Sequence, residues 1–166
     1  QGNLVAGGGA GAAKDSDTCF NIILGCSAGA ALNEGDHNIL LGCHAGASIT
    51  SGNYNLLFGR RVGCTINSGS SNILIHSKTL LTTGCKNIGI LGGSSMGATA
   101  CCNILMGNEA GYNLTGNSNI AIGAQAGCDL TGSYNVLAGE KAGTEMTSGC
   151  DNIALGRNAG KNATTG

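Results

Sequence analysis

Polar and apolar positions recur on a schedule along this chain. An asparagine is followed by three mostly apolar residues and then a glycine. An Ala-Gly pair, a further apolar residue and a polar Gly-containing turn complete the phrase. The asparagines that open the phrases are Asn3, Asn21, Asn38, Asn55, Asn72, Asn87, Asn103, Asn119, Asn135 and Asn152, spaced 15 to 18 residues apart. Ile, Leu or Val stands one after the Asn in all ten phrases, and Leu or Ile mostly stands three after it. Glycine lies four after the Asn in eight of ten, Ala-Gly seven and eight after, and an apolar residue such as Leu32, Ile49 or Leu130 eleven after.

This pattern predicts an all-β chain: a parallel β-solenoid, or β-roll, of about ten coils of 15–18 residues. Each coil reads as a short strand, a glycine turn, a second short strand and another turn. A helical repeat needs a period of about 30 to 45 residues, and this glycine density disfavours helices. Coils stack about 4.8 Å apart, so ten make a rod of very roughly 45 Å. The whole of 1–166 reads as one repeat domain, a segment of a longer fibrous chain, with irregular coils around 72–102. There His76 replaces the corner glycine and Lys78-Thr79-Leu80 replaces the Ala-Gly. Asn87 to Gly92 has one residue more before its glycine, as a bulge requires.

The columns assign roles. Asn21, Asn38, Asn55, Asn72, Asn103, Asn119, Asn135 and Asn152 are expected to form a structural ladder of side-chain amides at one corner, each bonding the next coil's backbone. Residues one and three after the Asn share a face, read here as the interior. The intervening column then points outward, yet it is apolar: Ile23, Leu40, Leu57, Leu74, Leu105, Leu137. A soluble rod does not expose such a stripe without a partner. These six are therefore the expected oligomer interface, with a homotrimer as the simplest assembly.

Composition narrows the classes. Glycine supplies 31 positions, proline and tryptophan none, and only five residues are aromatic, so the core must be thin and aliphatic. Collagen is excluded because the glycines lack a three-residue period and proline is absent. Disorder is disfavoured, since 42% of residues are apolar and recur on schedule. A net charge of −1 with no basic patch argues against nucleic acid, and no apolar run is long enough for a membrane-spanning helix. The opening residues lack the basic region of a signal peptide.

"NIAIGAQAG", "NILLGCHAG" and "NIALGRNAG" resemble the head repeats of trimeric autotransporter adhesins, and more closely the repeats of viral and phage tail-fibre shafts. The resemblance covers the whole chain and is architectural. It implies a homotrimeric β-roll serving as the shaft of a viral or phage fibre, a spacer or host-attachment element at the virion surface or outside the cell. A bacterial surface adhesin head or stalk is the alternative it implies. A host-surface receptor or glycan is the further partner such a fibre would have. The repeat here is longer than the usual adhesin-head repeat, and nine cysteines depart from both families' composition.

Those cysteines fall in columns. Cys26 and Cys43 share one column in adjacent coils, as do Cys85 and Cys101, and neighbouring coils bring equivalent Cα atoms within disulfide range. Either pair can bridge, or cysteine simply fills a small apolar slot. No spacing suits zinc, and His37, His44 and His76 lie in three different columns. No nucleophile–base pair, poised carboxylates or phosphate loop is visible, so neither an enzyme nor a cofactor is expected. A column with Thr99, Thr115, Thr131, Thr147 and Thr164 suggests an ice-binding face as a remote alternative.

Overall fold

The computed structural model describes residues 2–77, 81–92 and 96–164. Ten strands, one per phrase, form a single parallel sheet in sequence order. They are β1 (Leu4–Ala6), β2 (Ile22–Leu24), β3 (Ile39–Leu41), β4 (Leu56–Phe58), β5 (Ile73–Ser77), β6 (Ile88–Gly92), β7 (Ile104–Met106), β8 (Ile120–Ile122), β9 (Val136–Ala138) and β10 (Ile153–Leu155). Each pairs with the next in phrase register, as in Ile22 with Ile39 and Leu40 with Leu57. The fold is a parallel β-solenoid, and among the described residues there is no helix.

The corner after each strand explains the glycine column. Gly25 and Gly42 adopt φ of 136° and 133°. A Cβ on Gly25 would lie 2.6 Å from the carbonyl oxygen of Gly42 in the next coil, and one on Gly42 would lie 2.5 Å from that of Gly59. Both the dihedral and the close stacking of coil on coil exclude a side chain.

Among the described residues the expected second strand does not form. Residues 25–32 are instead two successive turns, closed by Ala28 N–H to Gly25 O at 3.2 Å and Leu32 N–H to Gly29 O at 3.0 Å. Turns repeated coil after coil still ladder to one another: Gly29 N–H donates to Ala45 O at 2.9 Å, and Gly46 N–H to Val62 O at 2.9 Å. One wall of the solenoid is therefore sheet and the other is a stack of turns. The Ala of each Ala-Gly pair and the apolar residue eleven after the Asn line the inside of that second wall, as Ala28, Leu32, Ala45 and Ile49 do at 0% exposure.

The sheet faces the opposite way from the sequence expectation. Ile23, Leu40, Leu57, Leu74, Leu105 and Leu137 were expected outside, as the oligomer interface. All six are interior, at 1% exposure or less, and belong to the single core that runs the length of the rod. The residues one and three after the Asn point outward: Phe58 is 53% exposed, Ile122 41% and Leu155 65%. The physical reason is the buried asparagine. With its side chain inside, strand alternation puts the residue two later inside as well.

The irregular coils are built differently from the expected bulge. Both β5 and β6 extend to five residues and stay in register, with Ile75 opposite Ile90 and Ser77 opposite Gly92. His76 and Leu91 stand at the corner position with φ of 49° and 54°, a left-handed turn in place of the glycine conformation. Lys78, Thr79 and Leu80 lie outside the described residues.

Candidate functional site

The asparagine column is a continuous hydrogen-bonded spine. The residue before each Asn has positive φ, as in His37 at 58° and Tyr54 at 58°, and its N–H donates to the preceding coil (His37 to Cys19 O at 3.2 Å, Tyr54 to Asp36 O at 3.0 Å). The next N–H, that of the Asn, is turned inward into the core and finds no backbone partner there. The preceding coil's Asn supplies one: Asn38 N–H donates to Asn21 Oδ1 at 2.8 Å, and Asn55 N–H to Asn38 Oδ1 at 3.0 Å. From Asn21 through Asn135 the amide Nδ2 also donates to a turn carbonyl ahead of it, Asn21 to Gly35 O at 2.9 Å, Asn38 to Gly52 O at 2.8 Å and Asn87 to Ala100 O at 2.8 Å. The backbone N–H to Oδ1 bond recurs through Asn72, Asn103, Asn119 and Asn135 to Asn152, whose N–H donates to Asn135 Oδ1 at 3.0 Å. Asn21 through Asn135 are buried at 1% exposure or less. A carboxylate could not donate at these positions, and an aliphatic residue could do neither job.

A second polar ladder, not foreseen from the sequence, runs two residues before the Asn. Here each side chain accepts from the backbone of the coil before it. Cys19 N–H donates to Asp36 Oδ1 at 2.6 Å, Asp36 N–H to Asn53 Oδ1 at 2.7 Å, and Asn53 N–H to Ser70 Oγ at 3.0 Å. Cys85 N–H donates to Cys101 Sγ at 3.1 Å and Cys101 N–H to Asn117 Oδ1 at 2.7 Å. The signal was present as a column that from Cys19 to Cys150 is restricted to Asp, Asn, Ser and Cys, all short side chains with an acceptor atom.

All nine cysteines are free thiols. The sulfurs of Cys85 and Cys101 approach to 3.0 Å. Cys26 is exposed, its sulfur 3.8 Å from the hydroxyl of Ser27, and no sulfur contact joins it to Cys43 among the described residues. The hydrogen bond with Cys101, followed by burial, pushes the Cys85 thiol above its ordinary value. Burial does the same to Cys128.

The three histidines stay apart in role. His37 packs between the rings of Phe20, at 5.1 Å, and Tyr54, at 4.8 Å, at the exposed corner beside the strands. His44 lines an open cleft of about 490 Å³ with Arg60, Arg61, Cys64 and Thr65, and His76 makes the irregular corner. Among the described residues no three His, Cys, Asp or Glu side chains are grouped to hold a metal ion. The threonine column is engaged in the stack: Thr131 Oγ1 donates to Thr147 O at 2.8 Å and Thr147 Oγ1 to Thr164 O at 3.3 Å.

The surface left without a partner is the outward face of the sheet. Each of the ten strands presents two apolar side chains there, from Leu4 and Ala6 in β1 to Ile153 and Leu155 in β10, without one polar or charged residue among them. Ten strands at about 4.8 Å make a stripe about 43 Å long. At two side chains wide, roughly 10 Å, its footprint is on the order of 400 Å², comparable to the largest apolar patch of a typical monomer, a size that is often functional. The corners flanking it carry the charge: Arg60 and Arg61 on one coil, and Glu140 paired with Arg157 at 3.4 Å further along. No helix is long and apolar enough to cross a membrane among the described residues. No family model, curated protein or solved structure matches this chain.

Proposed function

We propose that this chain is a structural shaft, a segment of a viral or phage fibre that works as a spacer or host-attachment element at the virion surface. Three copies pack side by side about a common axis through the outward faces of their sheets. The observation that carries this reading is the unbroken apolar stripe along all ten strands. A sheet apolar on both faces is a sheet buried on both faces. The interior face is filled by the chain's own turns, so the outer one needs another molecule, and a second and third copy offer a stripe of identical length and spacing.

The activity is mechanical. Hydrogen-bonded columns run along the rod axis, and three rods locked along their length resist bending better than one. The charged corners remain outside the assembly, where the cleft holding His44, Arg60 and Arg61 suits an anionic receptor or glycan.

Sedimentation equilibrium of the 166-residue chain tests the reading, with a mass of three chains as the expected result. Ile39→Asp together with Ile104→Asp should dissociate it into folded single chains, because each aspartate would otherwise be buried unpaired at the interface. A wild-type chain that sediments as a folded monomer refutes self-association, and a stable dimer refutes the threefold arrangement.

A further inference from the structure

We propose that Cys85 and Cys101 are an oxidisable dithiol site that staples the fifth coil to the sixth. The two sulfurs lie 3.0 Å apart, in one column of consecutive coils, where Cα atoms stack at the spacing a disulfide requires. Five other members of that column (Asp36, Asn53, Ser70, Asn117 and Ser133) are oxygen acceptors in the second polar ladder. Cysteine is a poor hydrogen-bond acceptor, so a consecutive pair weakens the ladder at this step and gains something else in exchange.

The position in the rod says what that is. Coils five and six are the two that lack the glycine corner, with His76 and Leu91 in its place. At Gly59, the last regular corner before them, a Cβ would no longer meet the next coil's carbonyl, its nearest neighbours being Val62 Cγ2 at 3.0 Å and His76 Cα at 3.4 Å. The close corner stacking seen at Gly25 and Gly42 is interrupted there. A bond from Cys85 to Cys101 encloses the sixth coil in a covalent ring where non-covalent stacking is altered.

The chemistry balances with a low-molecular-weight disulfide as oxidant. The Cys101 sulfur already receives the Cys85 N–H, which meets negative charge developing there, so Cys101 is the attacking thiolate. It displaces one small thiolate from the oxidant and forms a mixed disulfide. The Cys85 thiolate then attacks the Cys101 sulfur and expels the second small thiolate. Two protein thiols become one disulfide, the small disulfide becomes two thiols, and the two protons leave with them. Because the Cys85 thiol is held protonated by its bond to Cys101 and by burial, closure of the ring quickens as pH rises.

The site goes beyond the shaft reading and does not depend on it, since both sulfurs belong to one chain. The test is titration of the reduced chain with glutathione disulfide, followed by non-reducing peptide mapping. The expected product is an 85–101 crosslink that forms before any other and carries no retained glutathione, with cleavage by trypsin after Lys86 slowed at least several-fold. Cys101→Ser keeps an acceptor that Ser70 and Ser133 already provide in this column, so that variant folds; it should lose the crosslink and the protection together. Stable glutathione adducts on both cysteines, or Cys85 linked preferentially to another partner, overturn the proposal. The oligomeric mass, measured on the same samples, reports separately on the shaft reading.

Discussion

At the scale of single residues, the asparagines hold more of this fold than their polarity suggests. Asn55 accepts from Asn72 N–H at 3.1 Å and donates to Gly69 O at 2.9 Å, both inside the rod. Asn55→Ala strands both groups away from water, at about 1–3 kcal/mol each. Urea unfolding should show a loss of that order, whereas the exposed Asn67→Ala should stay within about 0.5 kcal/mol. Leu57, at 0% exposure, makes a second test: Leu57→Ala should cost about 2–5 kcal/mol in the single chain through the cavity it leaves. That loss should be the same whether or not the chains are associated, because Leu57 faces its own core.

The orientation of the sheet was the part of the fold least legible at this scale. Positions one, two and three after the Asn are apolar almost throughout, so alternation carried no sign to separate inside from outside. The deciding residue was the Asn, and a polar side chain is ordinarily read as facing water. Its periodicity identified a ladder, but its burial depends on the left-handed residue before it, held at Phe20, Tyr54, Lys86 and Tyr134 by residues that have no special tendency to adopt that conformation. Stacking against the neighbouring coil imposes it.

At the scale of the coil, legibility was uneven in a different way. The strand and the glycine corner were visible because a dihedral near 130° and a close carbonyl admit only one residue type. Gly42→Ala should therefore destabilise by more than about 1 kcal/mol, through strain at positive φ and collision with Gly59. Gly8→Ala, which meets nothing within 4 Å, should change stability by less than about 0.5 kcal/mol. Thermal melts of the two variants decide this. The turn wall was misread as a strand since an apolar residue recurring once per coil marks an interior position without saying what backbone carries it. A bulge is expected from sequence in β6 because the count of residues before Gly92 is compared with neighbours that turn at a glycine, while His76 and Leu91 turn without one and both β5 and β6 extend to five residues.

At the scale of the whole molecule, each coil contacts mainly the coils on either side, so stability is close to a sum of like interfaces along a line. Such a rod presents one long apolar surface along its sheet. The account rests on which side of the sheet that surface occupies. Hydroxyl-radical footprinting of the associated chain, compared with the Ile39→Asp/Ile104→Asp variant, measures it directly. The account predicts that Leu41, Phe58, Met106 and Ile122 are protected in the assembly and labelled in the variant, while Leu40, Leu57 and Leu105 stay protected in both. Labelling of Leu40, Leu57 and Leu105 on dissociation, with Phe58 and Ile122 already labelled in the assembly, would contradict it.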